Sequence, residues 1–460
     1  MNTHFDTIII GAGISGLTLA YNLQKAGQSV CIIEKSSRSG GAIKTIRHNG
    51  WVLETGPNTI LVTNTWFSDL IKELGLNAEI LVASKHAKNR YIVKNGNTVA
   101  LPLSPIAFFK SPLFSLKTKI RLLKEPFIAP MQSEDETLAD FVNRRLGKEF
   151  LDYAINPFVA GVYAGKPTNL SVKYGFPKLY DLERKHGSLI KGAFKGPGKD
   201  RNPRDIPRNK AEMISFKKGN EQLIDALTKS LGPDGIKYDE SIHSIHKENS
   251  NSYSVTTNSN GVFKCKNIVL TIPTHALENI KFIGFKNADT FPKSVQLTYP
   301  PVHVVHLGFN KSNLEHPLDG FGMLVPEVES HFILGALFNS TLFPHRTPSE
   351  DHALITVFTG GSRHPEVLNL SDDELIERVH YDIKSILGYS KKPDFSYITK
   401  WTKAIPQYDM MYGNKLDIFE LLECSNNGLY FCGNFKNGIS VGDCIKSASE
   451  LAQRLLVQRE

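Results

Sequence analysis

The sequence predicts an α/β plus α+β fold assembled from discontinuous pieces, and three observations carry this: a strand, glycine turn, helix and strand at its start; a mainly helical pattern from about 115 to 190; and a glycine-rich strand, turn and helix at its end. Phe5-Asp6-Thr7-Ile8-Ile9-Ile10 is an apolar run of the kind a parallel sheet buries on both faces. It leads into Gly11-Ala12-Gly13-Ile14-Ser15-Gly16, where Gly11 permits a tight turn, Gly13 lets backbone approach a pyrophosphate, and Gly16 lets the next helix pack closely on the strand. The following apolar run, Ser29 to Ile33, ends at Glu34, a carboxylate placed to accept ribose hydroxyls. A Rossmann-like unit for a dinucleotide is the expectation.

The motif alone does not choose the dinucleotide. Gly40-Gly41-Ala42 follows soon after Glu34, and Glu54-Thr55-Gly56-Pro57-Asn58 after that. Two more places where backbone can lie along an extended ligand suit FAD better than a transient nicotinamide cofactor, with an ordinary loop and turn as the alternative from spacing alone. Near the end, Leu429-Tyr430-Phe431-Cys432-Gly433 reads as a strand running into a glycine turn, and a helix is expected from about Cys444 to Leu456. Such a helix, if aimed at a redox ring, would stabilise negative charge there. Asp443 is then a first-turn residue, a water-mediated ligand near the pyrophosphate, or a plain cap.

Composition narrows the classes. With 460 residues, about three domains is the prior, and 41% hydrophobic residues exclude a disordered chain. The five cysteines are scattered, so neither a disulfide framework nor a zinc site is expected, and no metal is. The first strand pattern begins at Phe5 and no apolar run spans a bilayer, so neither a leader nor a spanning helix is expected. A net charge of +8 is modest, and the cations between Lys195 and Lys210 sit among prolines without aromatics, which speaks against nucleic acid.

Between the two ends the pattern changes repeatedly. Asn89 to Val93 and Thr98 to Leu101 read as a hairpin around Lys94-Asn95-Gly96-Asn97. Leu138, Phe141, Val142 and Leu146 recur at helical spacing, β character returns near 212, and Gly219 opens another helix. Residues from about 295 to 360 alternate strand-like runs with turns, suggesting a second sheet. In Val302-His303-Val304-Val305-His306-Leu307, alternation predicts one histidine packed and one exposed.

Taken together, Gly40-Gly41, Gly56-Pro57-Asn58-Thr59, Asn89-Arg90-Tyr91, Gly161-Val162-Tyr163-Ala164-Gly165, Gly320-Phe321-Gly322, Ser340-Thr341-Leu342-Phe343-Pro344 and Ile405-Pro406-Gln407-Tyr408 resemble the oxygen-dependent protoporphyrinogen oxidases of the FAD-dependent amine oxidase superfamily, nearly end to end. The resemblance implies three parts: a discontinuous FAD-binding domain (1–85, 212–275, 425–460), a mixed-sheet substrate domain (86–95, 276–424), and a helical, membrane-associating insertion (96–211). By match, FAD would be held by Gly11, Gly13, Ser15, Gly16, Glu34, Lys35, Gly41, Ala42, Gly56, Pro57, Asn58 and Thr59, with Ile242 near the adenine. Trp401, Gly433, Ile439, Ser440 and Val441 would lie toward the flavin ring, although core packing alone is an open alternative for Ile242.

The implied substrate is a porphyrinogen, protoporphyrinogen IX or the related coproporphyrinogen III, an apolar macrocycle with propionates. Arg90 matches a propionate-pairing arginine, Phe321 an aromatic packed on the macrocycle, and Gly161 a backbone position lining the slot, with Leu297 also facing it. No protein residue is implied as catalyst, because hydride passes to flavin N5 and the electrons to molecular oxygen, giving hydrogen peroxide. The strand Val302 to Phe309 holds no lysine of the kind many amine oxidases keep near the flavin, which favours a porphyrinogen over an amine. An amine-type oxidoreductase and a colourless, non-catalytic relative of the GDP-dissociation inhibitors are the competing classes. The resemblance further admits a homodimer, hand-off of product to ferrochelatase, and a cytoplasmic enzyme held peripherally on the inner face of the cell membrane. The apolar stretch Leu101 to Phe114, followed by Lys117, Lys119 and Arg121, is the candidate anchor, with burial in the substrate channel as the other reading.

Overall fold

A computed structural model of the protein describes residues 3–195, 203–207, 210–249, 252–286, 288 and 291–457. Part of the basic run expected between Lys195 and Lys210, including Lys199, Arg201 and Arg208, lies outside the described residues.

The first sheet is built on His4–Ile10, which pairs in parallel with Val30–Ile33 on one side and with Val262–Leu270 on the other. Its apolar run serves both faces. Ile9, Ile32 and Val269 enter one core, and Ile8, Ile10, Cys31, Ile33, Ile268 and Leu270 enter the other. Val262–Leu270 divides its second edge: its first half pairs with Ser252–Thr257 and its second half, in parallel, with Leu429–Phe431. The first and last strands of the chain therefore flank one central strand. Each is followed by a helix on the same face, Ile14–Lys25 and Val441–Val457, joined by Asn22 Nδ2 to Ser449 Oγ at 3.3 Å. Both helices begin at the carboxyl ends of parallel strands, where open α/β sheets bind their ligands.

The second sheet runs, in spatial order, Phe395–Trp401, Val302–Asn310, His352–Gly360, Ile333–Phe338, Gly320–Leu324, Asn89–Lys94 and Asn97–Ala100. Its outer hairpin turns on Asn95 and Gly96, both at positive φ (51° and 73°), the pairing a two-residue turn demands. Two strands fall outside the expected boundaries. Asn97–Ala100 belongs to this sheet rather than to the helical insertion. Lys281–Ile283 pairs with Ile242–Asn249 of the first sheet, because the short helical stretch Thr274–Asn279 carries the chain from the central strand Val262–Leu270 to the sheet's outer edge.

The histidine alternation is corrected. Both His303 and His306 are buried, because Val302–Asn310 is an inner strand covered on each face. Its Val305, Leu307 and Phe309 pack against the helix Asp372–Leu387, and Val302 and Val304 pack toward Ala164 and Trp401.

Between the two sheets in sequence lie short helices, several opened by a side-chain cap as at Ser104, Ser115, Thr137 and Ser171. Leu151–Ile155 is a π-turn running directly into Asn156–Tyr163. The stretch Leu101 to Phe114 splits: Leu113 and Phe114 are buried, whereas Leu103, Ile106 and Phe109 are exposed around the short helix Pro105–Lys110. No helix among the described residues is long and apolar enough to cross a membrane.

Candidate functional site

The glycine turn has the shape its residue types require. Gly11 sits at φ +105°, and a Cβ on Gly16 would run into the Gly11 carbonyl oxygen, so helix and strand approach as closely as backbone allows. Gly13 differs from both: nothing lies within 4 Å of where its Cβ would be. It is also the N-cap of Ile14–Lys25 without any side-chain cap, leaving the positive end of that helix facing open space.

Around that space stand the other expected groups. Gly40 N–H donates to Ala12 O at 2.8 Å, which sets the second glycine pair beside the first turn, and Gly41 and Ala42 are exposed on its rim. Glu34 is half-buried, accepting Ala12 N–H (2.7 Å) on one carboxylate oxygen and Ser36 N–H (2.9 Å) on the other, with Lys35 exposed beside it. A Cβ on Gly56 would strike the Ala42 carbonyl, so the loop with Pro57, Asn58 and Thr59 abuts this rim. Sequence reasoning passed over Thr271, whose Oγ1 donates to Ile10 O (2.8 Å) and Gly11 O (3.0 Å) and so fastens the turn.

The returning C-terminal segment closes on the same place. Burial pushes the Cys444 thiol up to about 12, against a hydrogen bond with Ser15 on the first helix. Ser440 and Asp443 form a reciprocal cap. The Asp443 carboxylate accepts from Ser440 N–H at 3.3 Å and Oγ–H at 2.6 Å, and Asp443 N–H donates to Ser440 Oγ at 3.1 Å. Asp443 is thus a first-turn residue of Val441–Val457, and the cap is Ser440. Gly433 to Gly438 is held from below by two stacked tyrosines, 4.0 Å between centroids. Tyr408 hydroxyl bonds Asn434 O (2.7 Å) and Gly438 N–H (3.0 Å), and Tyr412 hydroxyl bonds Phe435 O (3.0 Å). Ile439 packs on that cluster.

Contacts and shared elements lead from the loop after Glu54 to the second sheet. Trp401 Nε1 donates to Thr55 O at 2.7 Å, and its ring packs with Ala164, Val302 and Val304. Ala164, in the left-handed region at φ 53°, ends the helix Asn156–Tyr163. Gln407 Nε2 donates to Tyr163 O at 2.7 Å, and its carboxamide fills the place a side chain at Gly165 would need. The Gly161-to-Gly165 and Ile405-to-Tyr408 blocks are thus one structure. Burial, then the Asp443 carboxylate, push the Tyr163 hydroxyl up to about 12. One turn back, a Cβ on Gly161 would strike the Leu324 side chain, and Leu324 shares its strand with Phe321. Arg90, exposed on the neighbouring strand, holds its guanidinium 5.6 Å from the Phe321 ring centroid. Leu297 is not part of this group: it is buried in the core on one face of the first sheet with Phe282 and Tyr408. Ile242 lies in the same core beside Ile33.

The open space before Gly13, the uncapped helix, the exposed Gly41–Ala42 backbone and the flanking Glu34 fit an extended dinucleotide. The comparisons with known proteins point the same way. Residues 14–456 match the family model described as flavin containing amine oxidoreductase. The chain is 33% identical to protoporphyrinogen oxidase 2 of Arabidopsis thaliana across 97% of its own length and 93% of the relative's. It is 26% identical to coproporphyrinogen III oxidase of Bacillus subtilis across 95% of each. Its fold superposes with a TM-score of 0.82 on the crystal structure of a candidate protoporphyrinogen oxidase from Exiguobacterium sp., at 22% identity, covering 100% of this chain and 99% of the other.

Proposed function

Because the chain belongs to the flavin-containing amine oxidoreductases, among their porphyrinogen oxidases, we propose that it is an FAD-dependent oxidase that converts protoporphyrinogen IX to protoporphyrin IX, a six-electron oxidation with oxygen as acceptor and hydrogen peroxide as by-product. The observation that carries this is the series from Thr55 through Trp401 and Ala164, along the adjoining helix to Gly161 and Leu324, and along one strand to Phe321 beside Arg90, which joins the dinucleotide rim to an aromatic and a planar cation. Bound at the glycine turn, FAD supplies the two-electron acceptor that three successive rounds require.

In this reading the chain binds and orients. Gly11, Gly13, Ser15 and Gly16 receive the pyrophosphate, Glu34 and Lys35 the ribose side, and the Gly41–Ala42 and Gly56–Thr59 backbones the extended middle. Trp401, Gly433 and Ile439 to Val441 line the ring end. Arg90 pairs with a propionate in the bidentate geometry a guanidinium offers, while Phe321 covers an apolar ring face. Anaerobic titration of the flavin-loaded protein with protoporphyrinogen IX and with coproporphyrinogen III tests the reading. Bleaching of the flavin band by the first, with recovery and peroxide on readmitting oxygen, is expected. Bleaching by the second alone selects the alternative substrate, and bleaching by neither refutes the class.

The same reading places the enzyme peripherally on the inner face of the cell membrane. What supports it is the outer side of the helical segment, where Leu103, Ile106, Leu116, Leu123 and Phe127 (86% exposed) stand beside Lys117, Lys124 and Lys191. Co-flotation with anionic vesicles is expected, and complete failure to float would overturn it. A homodimer and hand-off to ferrochelatase complete the proposal, read by sedimentation and by coupled turnover.

A further inference from the structure

The loop from Glu54 to Asn58 is tied at almost every residue by side chains from remote parts of the chain. Trp401 holds Thr55 O, Asn220 Nδ2 donates to Pro57 O at 2.7 Å, and Asn339 Nδ2 donates to Asn58 Oδ1 at 2.8 Å. Glu54 anchors the start. Its carboxylate, fully buried, accepts Arg346 Nη1 at 2.6 Å, Asn220 N–H at 2.9 Å and Thr45 Oγ1 at 2.9 Å. Arg346 is equally buried and also donates to Ser215 Oγ, which in turn bonds Asn220 Oδ1 at 2.8 Å. Arg346 and Asn339 both follow the strand Ile333–Phe338 of the second sheet, whereas the loop they grip follows Trp51–Glu54 and abuts Ala42 on the rim.

A buried ion pair is a costly way to gain stability, since an apolar pair of the same volume serves as well. It does fix one geometry, because the guanidinium has few acceptors within reach and its Nε has none. We infer that Arg346 and Asn339, neither of which matches a cofactor or substrate position, are positioning residues that set the Gly56–Thr59 backbone for the dinucleotide and lock the second sheet to the cofactor rim. This rests on the reading that the Gly56–Thr59 loop touches FAD.

The test is FAD binding by the refolded apoprotein, followed by flavin fluorescence and by the visible absorption of the loaded protein, for Arg346→Met and Asn339→Leu. Arg145→Met, which breaks an equally buried ion pair in the helical segment, serves as the purely structural control. Both test variants are expected to weaken FAD binding, Arg346→Met about tenfold or more, the scale of one charge-assisted hydrogen bond, and Asn339→Leu about threefold or more, the scale of a neutral one. They should also move the flavin band and lower kcat more than they raise KM, while the control keeps the wild-type affinity and spectrum. Folded Arg346→Met and Asn339→Leu proteins that bind FAD with unchanged affinity and spectrum would overturn the inference. If Arg346→Met does not fold, Asn339→Leu decides alone, since it removes no charge. A wild-type protein that takes up no FAD would overturn the reading beneath it, a different result from variants that match the wild type.

Discussion

Around the glycine turn the first sheet buries nearly all of its apolar side chains and keeps its charges outside, whereas the helical segment between Pro105 and Lys195 buries Glu125, Arg145 and Glu183 and turns Leu116, Leu123 and Phe127 outward. The difference follows from what each region has left to fold with. In the sheet, two cores close on both faces of one set of strands, and hydrophobic burial suffices. In the helical segment the apolar residues committed to the outer side are lost to the interior, and ionic fastening takes their place. Glu125 accepts Arg145 Nη1 (3.1 Å), Ser188 Oγ–H (2.5 Å) and Leu189 N–H (2.9 Å), while Glu183 joins Arg144 and Arg145. Apolar surface withheld from folding in this way is available to a non-aqueous partner.

The contrast is most easily broken at Arg145. Arg145→Met leaves Glu125 and Glu183 buried with fewer partners, and a loss of about 3–5 kcal/mol is expected. Burial pushes the Glu183 carboxyl up, but Arg144 and Arg145 outweigh it and hold it below the usual carboxylate range. Its share of stability is therefore present above that range and lost as pH falls through the lowered value. Hydrogen exchange of Leu138–Arg145 and Pro177–His186 measures the loss; unchanged protection would mean that the network is ornamental. On the sheet side the matching change is Gly16→Ala, where a methyl meets the Gly11 carbonyl. Overpacking of this kind costs about 1–3 kcal/mol, and flavin content should fall with it. Full flavin retention would show that the turn can shift.

The two regions were also unequally legible. The glycine turn could be read because backbone demands, positive φ at Gly11 and no room for a Cβ at Gly16, are written in residue type at fixed spacing. The Asn95–Gly96 hairpin was legible for the same reason. Contacts between side chains carry no such local mark. Glu54 and Arg346 are 292 residues apart, and neither neighbourhood announces a partner. The Gly161-to-Gly165 and Ile405-to-Tyr408 blocks could be quoted from a resemblance, but that Gln407 joins them was visible only in three dimensions. Alternation failed for His303 and His306, since it presumes one wet face, and Leu101 to Phe114 is buried at one end and exposed at the other.

His306 sharpens the comparison from the sheet side, as a titratable group buried without a counter-charge. Burial, followed by the nearby Arg346 cation, pushes it from 6.5 down to about 3, and Nδ1 is paired with Thr356 Oγ1 at 2.9 Å. Between those two values the unfolded chain holds a proton that the folded protein refuses. The stability this group contributes is complete above its ordinary pKa and is lost as pH falls toward 3. His306→Leu should reduce the slope of stability against pH in that window by about 1.4 kcal/mol per pH unit. Urea unfolding at several pH values measures it, and an unaltered slope would place the titration elsewhere.

The smallest effect on stability belongs to the outer apolar side of the helical segment, and it separates the two regions most cleanly. Leu123→Ser with Phe127→Ser removes side chains that are 61% and 86% exposed, so unfolding should change by no more than about 0.5 kcal/mol per site. Similar truncations in the sheet, at Ile9 or Ile32, would open cavities and cost several times more. Binding to anionic vesicles should nonetheless be lost, because each large apolar side chain withdrawn from a membrane interface forfeits about 1.5–3 kcal/mol of burial. Retained vesicle binding in the double variant would locate the contact on another face. A large loss of stability would show that Leu123 and Phe127 already support the fold, and the division of labour between apolar surface and buried charge would then fail.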